Sequence, residues 1–361
     1  MRLFAFVVLV VFFYTASAQK RLNVIAYYSG GPEQVEHIAA EKLTHIIFSF
    51  GHLKGNVFVI GSKRDSATIR KLVALKKKNP SLKIILSLGG WGGCASCSDV
   101  FSSAQARTEF AQSVLKVNEY FKSDGIDLDW EYPSIQGYPG HAFKTEDKAN
   151  FTELITTLRN TLGSSYEISF AAGGFQKFID ESVDWKAIMP LLDRVNLMTY
   201  DLVHGYSTET GHHAALYSTP QQHESTDNAV QQLIKLGVPS TKLVIGAAFY
   251  GRMWENVSAT NHGLYQSGKF KRGVDYKNLD TEISSEKGFV YYWDDVAKAP
   301  YQYNADKKLY FTYDDKRSIA LKTKYAIDNH LDGIMFWELT CDRQSDGLLD
   351  EIVNTERNSE K

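Results

Sequence analysis

The sequence is poor in cysteine, in long apolar runs and in unbalanced charge. Cysteine occurs three times in 361 residues, and an odd number permits one disulfide bridge and one free thiol in an exported protein. The formal net charge is −2, which argues against a nucleic acid or an anionic membrane as the partner. No long uncharged apolar run follows Tyr14, so we predict no membrane anchor.

Motifs for metals and phosphates are missing as well. The ten histidines form no H-E-x-x-H or comparable pattern, and we therefore predict no metal site. The run from Gly89 to Gly93 lacks the Lys-Ser/Thr pair or the following acid of phosphate-binding loops. The spacing of Cys94 and Cys97 favours a bridge between these two, and no second C-x-x-C motif supports zinc binding. We expect no cofactor.

The first residues have the features of a secretory signal peptide. A basic Met1-Arg2 precedes an apolar run from Leu3 to Tyr14, and Ala16-Ser17-Ala18 has the pattern of a cleavage site. The run is too short to cross a bilayer. We therefore expect residues 1–18 to be removed and the protein to be secreted. Export makes Asn150 and Asn256, both in Asn-x-Ser/Thr sequons, candidate glycosylation sites.

Strand-like runs alternate with helical patterns along the rest of the chain. Eight strands that alternate with helices predict an α/β fold, the parallel (β/α)8 TIM barrel. The predicted strands are 22–28, 43–50, 83–88, one within 123–133, 166–172, 194–200, 242–249 and 333–338. The predicted helices are 33–42, 66–78, 104–122, 147–162, 185–192, 228–236, 316–328 and 348–353.

One interval interrupts this alternation. About sixty residues separate the seventh strand from its helix, and a structureless loop of that length is uncommon in a compact domain. Within it, 289–293 and 309–313 have the pattern of short strands. We therefore predict a small inserted α+β lobe at 254–311, and a barrel built from 19–253 and 312–361.

The fourth strand contains the most unusual stretch of the chain. Asp127, Asp129 and Glu131 alternate with apolar residues, so they share one strand face and lie about 6.6 Å apart. Carboxylates this close cannot all ionise cheaply, and at least one is expected to hold a proton near neutral pH. A D-x-x-D-x-D-x-E frame arises by chance in such a chain on the order of once in fifteen. Chance would more often place it on a solvated surface, so a general acid is favoured.

Further polar and aromatic residues fall at the same ends of the predicted strands, where the active sites of such barrels lie. Singly, many of them could be core or turn residues. Together they have the composition of a carbohydrate site, with proton-transfer groups, stacking faces and hydrogen-bond donors. They are Tyr27, Phe50, Ser87, Trp91, Met198, Tyr200, Asp201, Tyr250, Arg252 and Trp337. The residues thus indicate a glycoside hydrolase with Glu131 as acid/base. Asp129 would be the nucleophile of a retaining enzyme, or a more distant acid the base of an inverting one.

The motifs resemble those of glycoside hydrolase family 18, the chitinase family, over nearly the whole mature chain. Asp124-x-x-Asp127-x-Asp129-x-Glu131 matches the family signature. Ser87-Leu-Gly89-Gly90-Trp91, Met198-Thr-Tyr200-Asp201 and Tyr250-Gly-Arg252 are similar to its motifs at strands three, six and seven. Trp337 stands where the family has its subsite-floor tryptophan, and the inserted lobe resembles that of the deep-cleft members.

The resemblance implies a substrate-assisted mechanism, an established exception to the two-carboxylate rule. Glu131 would protonate the glycosidic oxygen, and the substrate's 2-acetamido oxygen would attack the anomeric carbon. Asp129 would orient the acetamido group, Tyr200 would bond its oxygen, and Asp127 would share a proton with Asp129. Trp337 would form the floor of the sugar-binding subsite, and Trp91 would stack against the sugar on the leaving-group side. Substrate-binding or supporting roles are also implied for Tyr27, Phe50, Ser87, Gly90, Met198, Asp201, Tyr250 and Arg252.

We expect a monomer that cleaves chitin or chitin oligosaccharides, and two other functions remain open. A non-catalytic chitin-binding lectin on the same fold typically lacks the acid that stands here as Glu131. An endo-β-N-acetylglucosaminidase would cut the core of N-glycans instead. The inserted lobe and the serial aromatics favour a linear polymer as the substrate.

Overall fold

The computed structural model describes residues 21–359, so the predicted signal peptide and its cleavage site lie outside the described residues. Eight parallel strands form a closed barrel, because the first strand pairs with both the second and the last. They are Asn23–Tyr28, His45–Lys54, Lys83–Gly89, Gly125–Asp129, Glu167–Gly173, Arg194–Met198, Leu243–Ala248 and Gly333–Trp337. The predicted (β/α)8 TIM barrel is confirmed.

The two faces of each strand have different surroundings, as the fourth strand illustrates. Its outward residues Ile126 and Leu128 belong to the large core between barrel and helices. Trp130 continues this face, with its ring 5.7 Å from that of Phe101. The inward residues Asp127 and Asp129 are both buried. The alternation of the strand thus directs the acids into the barrel interior.

Helices surround the barrel, and several begin at a capping side chain. Ser62, Ser103 and Ser225 each accept a hydrogen bond from a backbone N–H three residues on, which satisfies a donor left free at the helix start. In residues 21–359 no helix has the length and apolar character needed to cross a membrane. The helices of the barrel are Lys63–Ala74, Cys97–Phe101, Ala104–Phe121, Asp147–Leu162, Gln176–Glu181, Trp185–Ile188, Thr226–Lys235, Lys316–Asp328 and Leu348–Ser359. The inserted lobe contains the short helix Leu279–Glu282.

The predicted first helix, 33–42, was wrong. The segment forms two single 3-10 turns, Val35–His37 and Ala40–Lys42, separated by an extended Ile38. A helix needs several consecutive turns to offset the entropy of nucleation, and here Val35 and Ala40 are buried from separate turns. A second feature was not predicted, since the strand Val57–Val59 pairs antiparallel with the end of the second barrel strand.

The inserted lobe is built on a five-stranded antiparallel sheet. In spatial order its strands are Lys269–Asp275, Tyr250–Glu255, Leu309–Thr312, Ala299–Asn304 and Val290–Asp294. The sheet begins at Tyr250, before the predicted residue 254, because this strand follows the seventh barrel strand almost directly. The lobe has its own core around Trp254 and Tyr310. Tyr250 and Arg252 therefore lie at its root, beside the mouth of the barrel.

Candidate active site

The four acids of the fourth-strand motif separate into two groups. Asp127 and Asp129 point into the barrel, and Glu131 lies two residues beyond the strand's end. Asp124 lies at the opposite end, where its carboxylate accepts the Ile84 N–H at 2.7 Å and pairs with Lys76 at 2.5 Å. Asp124 therefore joins strand and helix at the base, and the other three acids meet at the mouth.

Asp127 is fixed by four hydrogen-bond donors. Its Oδ2 accepts from the hydroxyls of Tyr27 at 3.1 Å and Ser87 at 2.9 Å. Its Oδ1 accepts from the Ser169 hydroxyl at 2.7 Å and from Asn196 Nδ2 at 3.1 Å. Burial raises the pKa of Asp127, and these hydrogen bonds oppose the rise. Two of the four donors, Tyr27 and Ser87, are among the predicted site residues, whereas Ser169 and Asn196 were missed.

Asp129 is buried and has one oxygen, Oδ1, without a hydrogen-bond partner in the described part of the chain. Burial raises its pKa well above the ordinary value, and the negative charges of Glu131 and Asp127 raise it further. A buried polar atom normally has a partner. Asp129 is therefore an acid whose hydrogen bonding is incomplete within the described residues.

Glu131 is partly exposed at the mouth. Burial of its carboxyl raises the pKa to about 7, hydrogen bonding to Tyr132 opposes this, and the negative charge of Asp201 adds to it. An acid with a pKa near the working pH is both protonated and able to release its proton, which is what general-acid catalysis requires.

Asp201 is held between the barrel and the lobe. It adopts a left-handed conformation, with φ of 56°, and binds the Arg252 guanidinium through both of its oxygens. The Tyr250 hydroxyl donates to it at 2.7 Å, and Nδ1 of the buried His213 lies 3.5 Å away. Burial raises the pKa of Asp201, but His213 and Arg252 hold it well below the usual range. Asp201 is thus a fixed negative charge near Glu131.

Aromatic side chains form the floor between these acids. Trp337 lies nearly parallel to Phe50, with ring centroids 5.6 Å apart, and 5.8 Å from the Tyr27 ring. Tyr200 is buried, and its hydroxyl lies 3.8 Å from the sulfur of Met335. Met198 and Trp337 pack against the same cluster inside the barrel. The structure thus brings the predicted site residues Phe50, Met198, Tyr200 and Trp337 together at one end of the barrel.

The loop after the third strand holds a second, more exposed aromatic group. Gly90 has φ of 79°, and a Cβ there would lie 2.4 Å from the Phe50 ring, so glycine is required. Trp91 is 47% exposed and contacts Tyr138 and Tyr206, with ring centroids 5.5 and 6.2 Å apart. Neither tyrosine was predicted, because each lies in a long loop whose course the sequence pattern does not specify.

The remaining predicted residues are the cysteines and the asparagines of the two sequons. Cys94 and Cys97 are bridged, with 5.3 Å between their Cα atoms, and Cys341 is a free thiol. Asn256 is exposed at the end of a lobe strand, whereas Asn150 lies in a helix with its Oδ1 3.5 Å from Arg107. Within residues 21–359 no group of three or more His, Cys, Asp or Glu side chains could hold a metal ion.

The sequence matches the family model of glycosyl hydrolases family 18 over residues 9–342. Two curated relatives are Chitinase A1 of Niallia circulans and Chitinase B of Serratia marcescens. The first is 35% identical over 302 residues, covering 77% of this chain and 43% of the relative. The second is 31% identical over 375 residues, covering 86% of this chain and 75% of the relative. The chain therefore spans less than half of Chitinase A1.

Two solved structures have the same fold. A glycoside hydrolase family 18 N-acetylglucosaminidase from Paenibacillus barengoltzii is 38% identical, with a TM-score of 0.84, and the match covers 92% of this chain and 99% of that one. Chitinase ChiA74 from Bacillus thuringiensis is 30% identical, with a TM-score of 0.87, and the match covers 94% of this chain and 70% of that one.

Proposed function

The chain belongs to glycosyl hydrolases family 18, and from this premise we propose that it is a secreted chitinase that cleaves β-1,4-linked N-acetylglucosamine polymers or oligomers with retention. The observation that carries the proposal is the pair at the mouth of the barrel. Glu131 has a pKa raised to about 7, and it stands beside Asp129, which has an unpartnered oxygen. A lectin would gain nothing from a proton donor of this kind.

Glu131 acts twice in the proposed reaction. It first donates its proton to the glycosidic oxygen, while the 2-acetamido oxygen of the substrate attacks the anomeric carbon and displaces the leaving sugar. The product of this step is an oxazolinium ion. Glu131, now a carboxylate, then takes a proton from a water molecule that attacks the same carbon and opens the ring. Two displacements at one carbon leave its configuration retained.

Asp129 positions the substrate's own nucleophile. No hydrogen bond among the described residues holds the Asp129 carboxyl group, so in the proposed reaction it rotates toward the substrate and accepts the acetamido N–H. Its negative charge then stabilises the positive charge of the oxazolinium ion. Asp127 is already held by four donors, so Asp129 is the member of the pair that responds to the substrate. The pKa values of Asp127 and Asp129 are both raised, which supports the proposal that the two carboxyl groups share one proton. Tyr200 donates to the acetamido oxygen, and Trp337 supports the sugar ring.

The substrate is tested by incubating the protein with chitin oligomers, colloidal chitin, cellulose oligomers and a high-mannose glycoprotein. We expect N-acetylglucosamine products from the chitin substrates, with the β-anomer appearing first in NMR spectra. Efficient hydrolysis of cellulose oligomers, which lack the acetamido group, or initial release of the α-anomer would contradict the mechanism. Cleavage of the glycoprotein alone would favour an endo-β-N-acetylglucosaminidase, and binding without turnover a lectin.

A second candidate function is the release of single sugars from chain ends, and the size of the products tests it. The likeness to an N-acetylglucosaminidase spans 99% of that protein, which favours release of single sugars from chain ends. Mass spectrometry of early products distinguishes the two modes, because an exo-acting enzyme releases monomer from the start and an endo-acting one releases mixed lengths. Export is tested in parallel by sequencing the N-terminus of secreted protein, which we expect to begin at Gln19.

A further inference from the structure

One stretch of the chain has a local excess of positive charge. Residues 63–83 contain eight lysines and arginines and a single acid, whereas the whole protein has a formal net charge of −2. The stretch comprises the helix Lys63–Ala74, the 3-10 turn Leu75–Lys77 and the start of the strand Lys83–Gly89. The charge is therefore carried on the outside of the barrel by neighbouring segments.

The most basic part of this stretch lies at the base of the barrel, remote from the active site. Lys76 pairs with Asp124 at 2.5 Å, and Lys83 Nζ lies 3.9 Å from the same carboxylate. Asp124 precedes the strand whose other end carries Asp129, and Lys83 begins the strand that leads to Gly89. A strand of this length spans about 20 Å. The lysines and the catalytic mouth thus lie at opposite ends.

Several cations at the base have no acidic partner. Lys77, Lys78 and Lys122 are exposed, and none forms an ion pair in the part of the chain that the structure describes. Lys122 belongs to this group because its carbonyl oxygen accepts from Lys76 Nζ at 3.3 Å. The only exposed acid at this end of the helix Ala104–Phe121 is Glu119, so the face has an excess of positive charge, which attracts a polymer of the opposite sign.

An exposed aromatic ring lies beside these lysines. Tyr120 is 68% exposed, and Arg70 donates to its hydroxyl at 2.5 Å with the guanidinium 5.4 Å from the ring centroid. Among the described residues, Tyr120 is the only large apolar side chain that is exposed on the helices Lys63–Ala74 and Ala104–Phe121. The face therefore offers a stacking surface and cations, without the apolar side chains that insert into a bilayer.

We propose that this basal basic face, formed by Arg70, Lys77, Lys78 and Lys122 with Tyr120, binds an anionic polysaccharide bearing sulfate or carboxylate groups. The ammonium groups neutralise the acidic groups and release their counterions, and Tyr120 packs against a sugar ring. Because the face lies opposite the mouth, a protein held in this way keeps its active site open to a second, neutral polymer.

The test measures binding of fluorescently labelled dextran sulfate to the full-length protein over a series of salt concentrations. Replacing Lys77→Glu and Lys78→Glu together removes two contacts and adds two repulsive charges. We expect affinity to fall about tenfold or more and the log–log salt slope to fall by about two. The matched control is Lys186→Glu with Lys235→Glu, two exposed helical lysines elsewhere, for which we expect a change below about twofold.

Further measurements identify the partner. Tyr120→Ala is expected to weaken dextran sulfate binding about threefold without changing the salt slope, because it removes stacking and no charge. Vesicles of phosphatidylserine and phosphatidylcholine are expected to bind weakly. Equal affinity of the Lys77/Lys78 double variant and the wild type, or binding to vesicles but not to dextran sulfate, would overturn the proposal.

Catalysis provides an independent readout. Hydrolysis of soluble chitin oligomers is expected to be unchanged in all three variants, which also shows that they fold. Wild-type protein held on immobilised dextran sulfate is expected to keep this activity. Loss of activity on the matrix would contradict the placement of the binding face opposite the mouth. A wild type inactive toward chitin oligomers would leave the binding result intact and refute only the proposed function.

Discussion

Acidic side chains lie at both ends of the barrel interior, in contrasting surroundings. At the base, Glu167 binds Arg194 and lies 3.0 Å from His45 Nε2, and Asp332 accepts from Arg194 Nε at 2.9 Å. Burial raises the pKa of Glu167, but His45 and Arg194 lower it to about 2. At the mouth, no ion pair among the described residues includes Asp127, Asp129 or Glu131, and the pKa of Glu131 rises to about 7.

The difference separates structural acids from reactive ones. A buried carboxylate beside a guanidinium stays ionised and holds segments together, and removing the cation leaves a costly buried charge. Carboxyls crowded without a cation retain a proton instead, and groups with such perturbed pKa values are concentrated at functional sites. The mouth of the barrel is therefore suited to proton transfer, and the base to stability.

The largest expected effect comes from replacing one acid at each end. Glu131→Gln removes the donated proton and preserves the shape of the side chain, so kcat on chitin oligomers should fall by about 10³-fold or more. Binding measured by calorimetry should change little. Glu167→Gln, at the base, should leave kcat within about twofold. A Glu131→Gln enzyme with near-normal turnover would refute the assignment of the acid.

The next effect is on stability. Arg194→Met leaves Glu167 and Asp332 without their shared cation, and we expect the free energy of unfolding in urea to fall by about 3 kcal/mol or more. The control is Lys324→Met, which breaks an exposed pair with Asp328 and should change stability by less than about 1 kcal/mol. Similar losses of unfolding free energy in the two variants would show that the Arg194 cluster contributes no more to stability than an exposed ion pair.

A smaller effect should appear in the pH dependence of stability, with opposite signs at the two ends. The pKa of Glu131 is raised from 4.5 to about 7, so its stabilising contribution is present below pH 4.5 and is lost as the pH rises to 7. The pKa of Glu167 is lowered from 4.5 to about 2, so its contribution is present above pH 4.5 and is lost as the pH falls to 2.

Thermal unfolding of Glu131→Gln and Glu167→Gln over a range of pH tests whether the two contributions to stability change with pH in opposite directions. Relative to the wild type, Glu131→Gln should gain stability as the pH rises from 4.5 to 7 and show no further gain above it. Glu167→Gln should show its full loss at neutral pH and a diminishing loss toward pH 2. Differences from the wild type that do not vary with pH would contradict the contrast between the two ends.

Much of the mouth could be predicted because its acids are close in sequence. A period of two places Asp127 and Asp129 on one face of their strand, and strand ends in a parallel barrel meet at one rim. The same reasoning collected Tyr27, Ser87 and Trp337 from three other strands. The alternation along each strand and the meeting of strand ends at one rim were together sufficient to predict that these residues lie at the mouth.

The missed residues depend on long-range geometry. Ser169 and Asn196 meet Asp127 only through the register of the closed barrel, and their one signal is a polar residue inside an apolar strand. His213 lies in a loop whose sequence appears polar, and yet it is fully buried against Asp201. The basal partners Glu167 and Asp332 are joined through Arg194, 138 residues from Asp332. No local pattern encodes a contact over that distance.

The most direct test of this account is the pH dependence of kcat/KM for the wild-type enzyme on a soluble chitin oligomer, since this profile reports the pKa values of the free enzyme. We predict a fall of tenfold per pH unit above about pH 7, as Glu131 loses the proton that it must donate. A fall that begins near pH 4.5, the ordinary value for glutamate, or a rate that stays constant to about pH 9 would contradict the account.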